Sequence, residues 1–230
     1  MRVVSLVPSV TETLLAWGIE PVACTRFCEQ PNLKHVGGTK DPNIDEIVRL
    51  APDVVVVERE ENRKVDAESL VARGINVVDL HVTALYDVGR EMAKLARAVG
   101  VSHAGDFVLK DEPAAPRIIA FVPIWRRPWM TINAATYGAS LLAHLGVVVS
   151  HSSAEKSYPE LENEDLAKTG ASIVLLPTEP YIFANRHFAE VKLLTGISDV
   201  RIIDGKDLFW WGHRSAEAVE RLAHQLGDVG

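Results

Sequence analysis

The chain has 230 residues, 47% of them apolar and 24% charged, with a net charge of −7. The acidic balance excludes the basic stripe expected of a nucleic-acid binder, and the longest apolar runs have strand length, too short to span a bilayer. Two cysteines, Cys24 and Cys28, do not make a disulfide framework, and three intervening residues are not a usual metal or redox spacing; they read as free thiols near a strand end.

Taken in order, Val3–Val7 is a continuous apolar run, the pattern of a strand buried on both faces of a parallel sheet. Pro8 ends it, and Ser9-x-x-Glu12 reads as a capping box that starts a helix at Val10, stopping near Gly18. Val22–Thr25 is a short strand, followed by an irregular loop with Gly37-Gly38-Thr39, weak alone as an anion cradle. Asp41-Pro42 or Asn43-x-x-Glu46 opens the next helix. Val54–Val57 is a strand, Arg63–Arg73 a helix and Ile75–Leu80 a strand. Leu85, Val88, Met92, Leu95, Ala96 and Val99 recur at helical spacing, so Ala84–Val99 is an amphipathic helix stopped by Gly100. A polar, Pro-rich connection runs to Pro116 as the one crossing between halves. Strands follow at Ile118–Val122, Val147–Ser150, Ile173–Leu176 and Val200–Ile203. Helices alternate with them at about Ala134–Leu145, Glu162–Thr169, Arg186–Leu194 and Ser215–Leu226.

The second half repeats the first. RVVSLVP at Arg2 returns as RIIAFVP at Arg117, and TLLAWG at Thr13 as SLLAHLG at Ser140. Likewise DEIVRLAPDVVVVE at Asp45 matches EDLAKTGASIVLLPTE at Glu164. The expected fold is therefore α/β: two Rossmann-like lobes with parallel sheets from an internal duplication, joined by a backbone helix, with a ligand cleft between them. The lobes are residues 1–83 and 117–230, and 84–116 is the linker.

Ligands bind beyond the carboxyl ends of parallel strands, so post-strand residues are the site candidates. Four of five tryptophans fall there: Trp125, Trp129, Trp210 and Trp211. With Tyr181 they are assigned as stacking walls for a flat or bulky apolar ligand, although any one of them is equally well a packing residue. Glu58, Arg126, Arg127 and His213 are the polar anchors, with Glu58 expected against a ligand cation or against Arg126 and Arg127. No second ligand lies at metal spacing from His213, and no nucleophile elbow, Walker loop, dinucleotide fingerprint or HExxH appears. Neither a metal site nor catalytic residues are assigned.

The stretches RVVSLVPSVTETLLAWG, VGGTKDPNIDEIVRLAPDVVVVE and YPELENEDLAKTGASIVLLPTEPY resemble the helical-backbone metal receptor superfamily. Its members are the substrate-binding proteins of vitamin B12 and iron-complex ABC transporters, and the cobalamin-binding type is nearest. The resemblance implies a non-enzymatic receptor, requiring no cofactor, for a small metal chelate: a corrinoid, haem or a ferric siderophore. An ABC permease would be its partner. An aromatic is expected after the third strand, where Glu58 stands, and a late tryptophan, matched by Phe209-Trp210-Trp211. Met1 leads directly into the first strand without a leader, so the sequence as it stands is expected in the cytoplasm, or outside it if a leader was removed. The alternative is a cytoplasmic carrier, or an enzyme on the same fold.

Overall fold

The computed structural model describes residues 1–102 and 107–227; part of the polar connection after the long helix and the last three residues lie outside them. Among the described residues the chain divides into two compact units. One gathers Met1–Val82, Tyr86–Phe107 and Trp211–Arg214; the other gathers Thr83–Leu85, Val108–Trp210 and the chain from Ser215. The expectation of one crossing is therefore corrected, since two short segments pack with the unit opposite to their sequence neighbours.

The first unit is a four-stranded parallel sheet in the order β2-β1-β3-β4, formed by β1 (Val3–Ser5), β2 (Ala23–Cys24), β3 (Val54–Glu58) and β4 (Val77–Leu80). Every residue of β3 is buried, as a central parallel strand covered on both faces requires. Val55 and Val57 share a core cluster with Val4, Leu6, Ile47 and Leu70. Ile47 comes from α2 (Ile44–Arg49) and Leu70 from α3 (Lys64–Ala72).

The first helix differs from its expected form. α1 spans Pro8–Ala16, because proline's fixed φ suits the first helical turn, and no side chain caps it. The Ser9–Glu12 capping box is not formed; Glu12 instead takes Arg214 at 2.8 and 2.9 Å. Asn43, one of the two openings considered, caps α2 through Glu46 N–H. The long amphipathic segment begins as a 3₁₀ turn, Leu85–Asp87, and continues as α4 (Val88–Val99), ended by left-handed Gly100.

The second unit has the order β10-β9-β5-β7: β5 (Ile118–Phe121), β7 (Val147–Val149), β9 (Ile173–Pro177) and β10 (Val200–Ile203), again all parallel. Matched through the repeat, β1, β2, β3 and β4 correspond to β5, β7, β9 and β10, and the two orders coincide. Its helices are α5 (Tyr137–His144), α6 (Asn163–Leu166), α7 (Phe188–Thr195), α8 (Gly205–Phe209) and α9 (Ser215–Leu226). α5 starts three residues later than expected, because Asn133 is spent on a turn to Ala135 N–H and Thr136 caps the helix through Ala139 N–H. α6 is a single turn opened by a Glu162–Asp165 capping box, and left-handed Gly170 follows soon after. The insertion after β5 carries an unforeseen antiparallel pair, β6 (Trp129–Met130) with β8 (Glu160–Leu161), so Trp129 is a strand residue rather than a loop residue.

Candidate functional site

The C-terminal ends of β5 and β9 in the second unit bring three of the expected residues together. After β5 the chain turns at Trp125-Arg126-Arg127-Pro128 and returns into β6, held by Ile124 N–H to Met130 O at 2.8 Å and Met130 N–H to Trp125 O at 3.2 Å. Arg127 has φ 70°, a turn conformation uncommon for a side chain with a Cβ. After β9 comes Thr178-Glu179-Pro180-Tyr181-Ile182-Phe183.

The two loops meet through rings. Trp125 lies edge-on to Tyr181 at 5.6 Å between centroids, Tyr181 meets Phe183 at 4.6 Å, and Trp129 stacks on Phe183 at 6.1 Å and 10°. His187 closes the group, T-shaped against both Tyr181 and Phe183. Exposure separates their roles. Phe183, Trp129 and His187 are buried, whereas Trp125 keeps 42% of its surface open. The lower rings thus form a floor belonging to the core, and Trp125 stands on it as an open aromatic face. His187 Nδ1 accepts the Ala184 N–H at 3.0 Å, and burial holds the imidazole below its ordinary pKa, with Arg186 and Arg126 adding to the effect.

Arg126 is fixed beside this face by Glu190 at 2.8 Å. Its Nε–H is buried and has no acceptor among the described residues. Arg127 and Trp129 line a neighbouring recess of about 300 Å³ with Leu161, Glu162 and Glu190.

The remaining expected residues lie elsewhere. Trp210, after the short α8, donates its indole N–H to Glu179 at 2.9 Å, under Lys206 at 4.9 Å. Gly205 permits this arrangement, since a Cβ there would lie 2.2 Å from Glu179 N. Trp211 and His213 belong to the first unit. Trp211 is buried there and His213 is exposed, and the segment is held by Thr13 Oγ1 accepting His213 N–H at 3.1 Å.

Glu58 ends β3 in the first unit and is 1% exposed. Its carboxylate accepts N–H groups from Glu60 at 2.7 Å, Glu61 at 3.0 Å and Val82 at 3.3 Å, so it ties the loop after β3 to the end of β4. Burial nevertheless pushes its pKa up to about 7, against the pull of these donors. His81 Nδ1, without a hydrogen-bond partner among the described residues, lies 3.9 Å away, and Glu91 accepts the His81 backbone N–H at 3.2 Å. A groove of about 810 Å³ runs beside Glu58 over Val57, Ala67, Val71 and Val77. The cations on its rim are matched by neighbouring acids, Arg59 by Asp79, Arg63 by Asp66 and Lys64 by Glu68.

Phe183, His187 and Glu190 were not singled out in the sequence. They arrive through the 3₁₀ turn Asn185–His187 and the first turn of α7, which no short-range pattern announces. Among the described residues no group of three or more metal-ligating side chains is present, and no helix is long and apolar enough to cross a membrane.

The family model for "Periplasmic binding protein" matches residues 3–179, more than half of the chain. The chain belongs to the periplasmic binding protein family. That places it among binding proteins rather than enzymes, as the resemblance in the sequence implied. A vitamin B12-binding protein of Salmonella paratyphi A is 29% identical over 99 residues, covering 41% of this binding protein and 37% of the relative, so the match spans well under half of that protein. In fold, this binding protein is similar to a periplasmic vitamin B12 binding protein of Vibrio cholerae, with a TM-score of 0.78 at 18% identity over 98% and 96% of the two chains. A periplasmic haem binding protein of Vibrio cholerae gives 0.77 at 21% identity, covering 98% of each chain. The paired four-stranded parallel sheets are thus the fold of this family.

Proposed function

We propose that this chain is the substrate-binding component of an ABC transporter for a corrinoid or an iron or other metal chelate, haem and ferric siderophores included. The carrying observation is Trp125: an exposed indole, fixed on a floor of Tyr181 and Phe183, beside an arginine whose buried Nε–H lacks an acceptor among the described residues. An aromatic face with an adjacent cation suits a broad conjugated ring bearing carboxylate or phosphate groups. The vitamin B12 and haem ligands named for the relatives have that chemistry. On this reading residues 1–83 and 117–230 are the two lobes and 84–116 the linker with its backbone helix. Trp125 and Tyr181 are the aromatic wall, with Trp129 in the floor beneath them as its third expected member, and Arg126 and Arg127 are the cationic anchors for an anionic group of the ligand. Trp210, Trp211, Glu58 and His213 are secondary candidates for ligand contact. The role calls for an extracytoplasmic location and a permease partner, for which the exposed Glu60 and Glu61 offer acidic contacts.

Tryptophan fluorescence, corrected for absorption by the ligand, tests this with cobalamin, cobinamide, haem and a ferric siderophore in turn. One of them should quench saturably at micromolar concentration or below. Trp125→Ala should then weaken binding roughly tenfold while leaving thermal stability unchanged. No saturable binding to any of the four, or unchanged affinity in the variant, would overturn the reading.

A further inference from the structure

The first unit holds an open groove where the second unit holds rings. β3 and β4 pair Val55 with Val77 and Val57 with Asp79. β9 and β10 pair in the equivalent register, Val174 with Val200 and Leu176 with Ile202. Alternate residues of a strand share a face, so each set forms one face of its sheet. In the second unit that face lies in a core cluster with Tyr181, Phe183 and Phe188. In the first unit Val55, Val57 and Val77 cluster, among the described residues, with aliphatic side chains alone, Ala67 and Leu70 of α3 included. Neither the loop Arg59–Arg63 nor α3 carries a ring.

The space left is the groove of about 810 Å³, with Val57, Val77 and Asp79 as its sheet wall and Ala67 and Val71 as its helix wall. That is the size of a ligand pocket, far above the water-sized voids that core packing leaves. Val71 is 59% exposed, so apolar surface also stands open at the mouth. The two ends differ. Arg59, Arg63 and Lys64 line the end where the chain leaves β3 and enters α3, whereas Ala72 and Val77 line the end where α3 stops and β4 begins. The Arg59–Asp79 and Lys64–Glu68 pairs join side chains with at least 43% of their surface open. Such pairs are weak, so both cations can turn to a bound anion at little cost.

We propose that the groove between α3 and the β3–β4 edge is a second ligand site, for a small aromatic acid. Its ring lies over Val57 and Val77, giving the sheet the apolar cover that Tyr181, Phe183 and Phe188 give the equivalent face of the second unit and that Ala67 is too short to give here. Its carboxylate or sulfonate meets Arg59 and Lys64 at the charged end, which sets the direction in which the molecule enters. Hydrophobic body and anionic head thus each find a matching half of one groove. The site lies within the first unit and goes beyond the corrinoid or chelate reading, which rests on Trp125 in the second.

The test titrates the full chain with anilinonaphthalene sulfonate, an aromatic anion that fluoresces on leaving water, and with phenylnaphthylamine, the same ring system without the sulfonate. The anion should bind saturably, at least about tenfold more tightly than the neutral dye. Hydrogen exchange read by mass spectrometry should then slow across α3 and β4 and stay unchanged across the turn from Trp125 to Met130. Ala67→Phe, which supplies the missing ring from α3, should weaken binding of the anion at least about tenfold and melt no lower than wild type. No saturable binding, equal or tighter binding of the neutral dye, or exchange that slows elsewhere than α3 and β4 would overturn the proposal. These are read on the wild-type protein, so none depends on a variant folding; full affinity in a folded Ala67→Phe chain would overturn it as well. The transport reading is judged by Trp125→Ala and this one by α3 and β4, so the two fail separately.

Discussion

The two units share one sheet order and differ in the loops that leave the corresponding strands. After β3 the chain ends in a buried carboxylate, Glu58, wrapped by three backbone N–H groups. After β9, the matching strand, it runs into Tyr181 and Phe183 and an aromatic stack. After β1 the chain enters α1 at once through Pro8, whereas after β5 it first makes the Trp125–Met130 turn and the β6–β8 pair. The duplicated part is the scaffold of apolar strands and their covering helices, fixed by burial. The part that diverged is the set of loops at the carboxyl ends, where a parallel sheet leaves room for a ligand. The binding reading accordingly rests on the second unit's loops, and the first unit's equivalent loop closes on its own carboxylate.

The sharpest test of that division is within the stack. Trp129→Ala removes a buried ring stacked on Phe183 and should cost about 3–5 kcal/mol in a urea melt. Trp125→Ala, on the same turn, should stay within about 0.5 kcal/mol of wild type, because its ring is 42% exposed. Equal losses would merge floor and face into one packing cluster and leave no open face for a ligand.

The scaffold itself supplies the next test. Leu14 and Leu141 occupy matching positions of the repeat, in α1 and α5, and both are fully buried. Leu14→Ala and Leu141→Ala should each cost about 2–5 kcal/mol. A neutral result at either position would mean that the likeness in sequence is not a likeness in packing.

Glu58 gives the comparison a pH dependence. Its ordinary pKa is 4.5 and its folded value is about 7, so between those values the folded chain holds a proton that the unfolded chain has lost. Stability from this group is therefore complete below about pH 4.5 and falls as pH rises to about 7, by at most about 3 kcal/mol. Glu58→Gln should flatten that slope in melts taken from pH 4 to 8. An unchanged slope in that variant would show that Glu58 does not carry the dependence.

Much of the fold was legible in the sequence, for a physical reason. Val54–Val57 reads as a buried strand because a run of β-branched residues has few other stable fates, and Ser215–Leu226 as a helix because its apolar residues keep helical spacing. The repeat announced that one α/β unit occurs twice with the same element order. The features that escaped are set by distant contacts. Glu12 looked like a capping residue because its spacing from Ser9 is right, yet its carboxylate is taken by Arg214, some two hundred residues away. Trp211 looked like Trp210, since both come after β10, but one packs into the first unit and the other bonds Glu179 in the second. Neither partner leaves a local trace in the chain.

The smallest effect concerns how each unit keeps its stray segment. Thr13 on α1 accepts the N–H of His213, and Ser140 on α5, its counterpart in the repeat, accepts the N–H of Leu85 at 3.0 Å. In both units the hydroxyl of the first helix therefore holds a segment that arrives from the sequence of the other half. Gly212 lets the first contact form, since a Cβ there would lie 2.3 Å from Thr13 Oγ1. Thr13→Val and Ser140→Ala should each cost about 1 kcal/mol, the net worth of one hydrogen bond whose donor is left unpaired. If the two hydroxyls are equivalent latches, the costs should match and, residing in separate units, add in the double variant. A cost confined to Thr13 would make the strap over α1 a feature of the first unit alone, carried by Gly212 and the Glu12–Arg214 pair rather than by the duplicated helix.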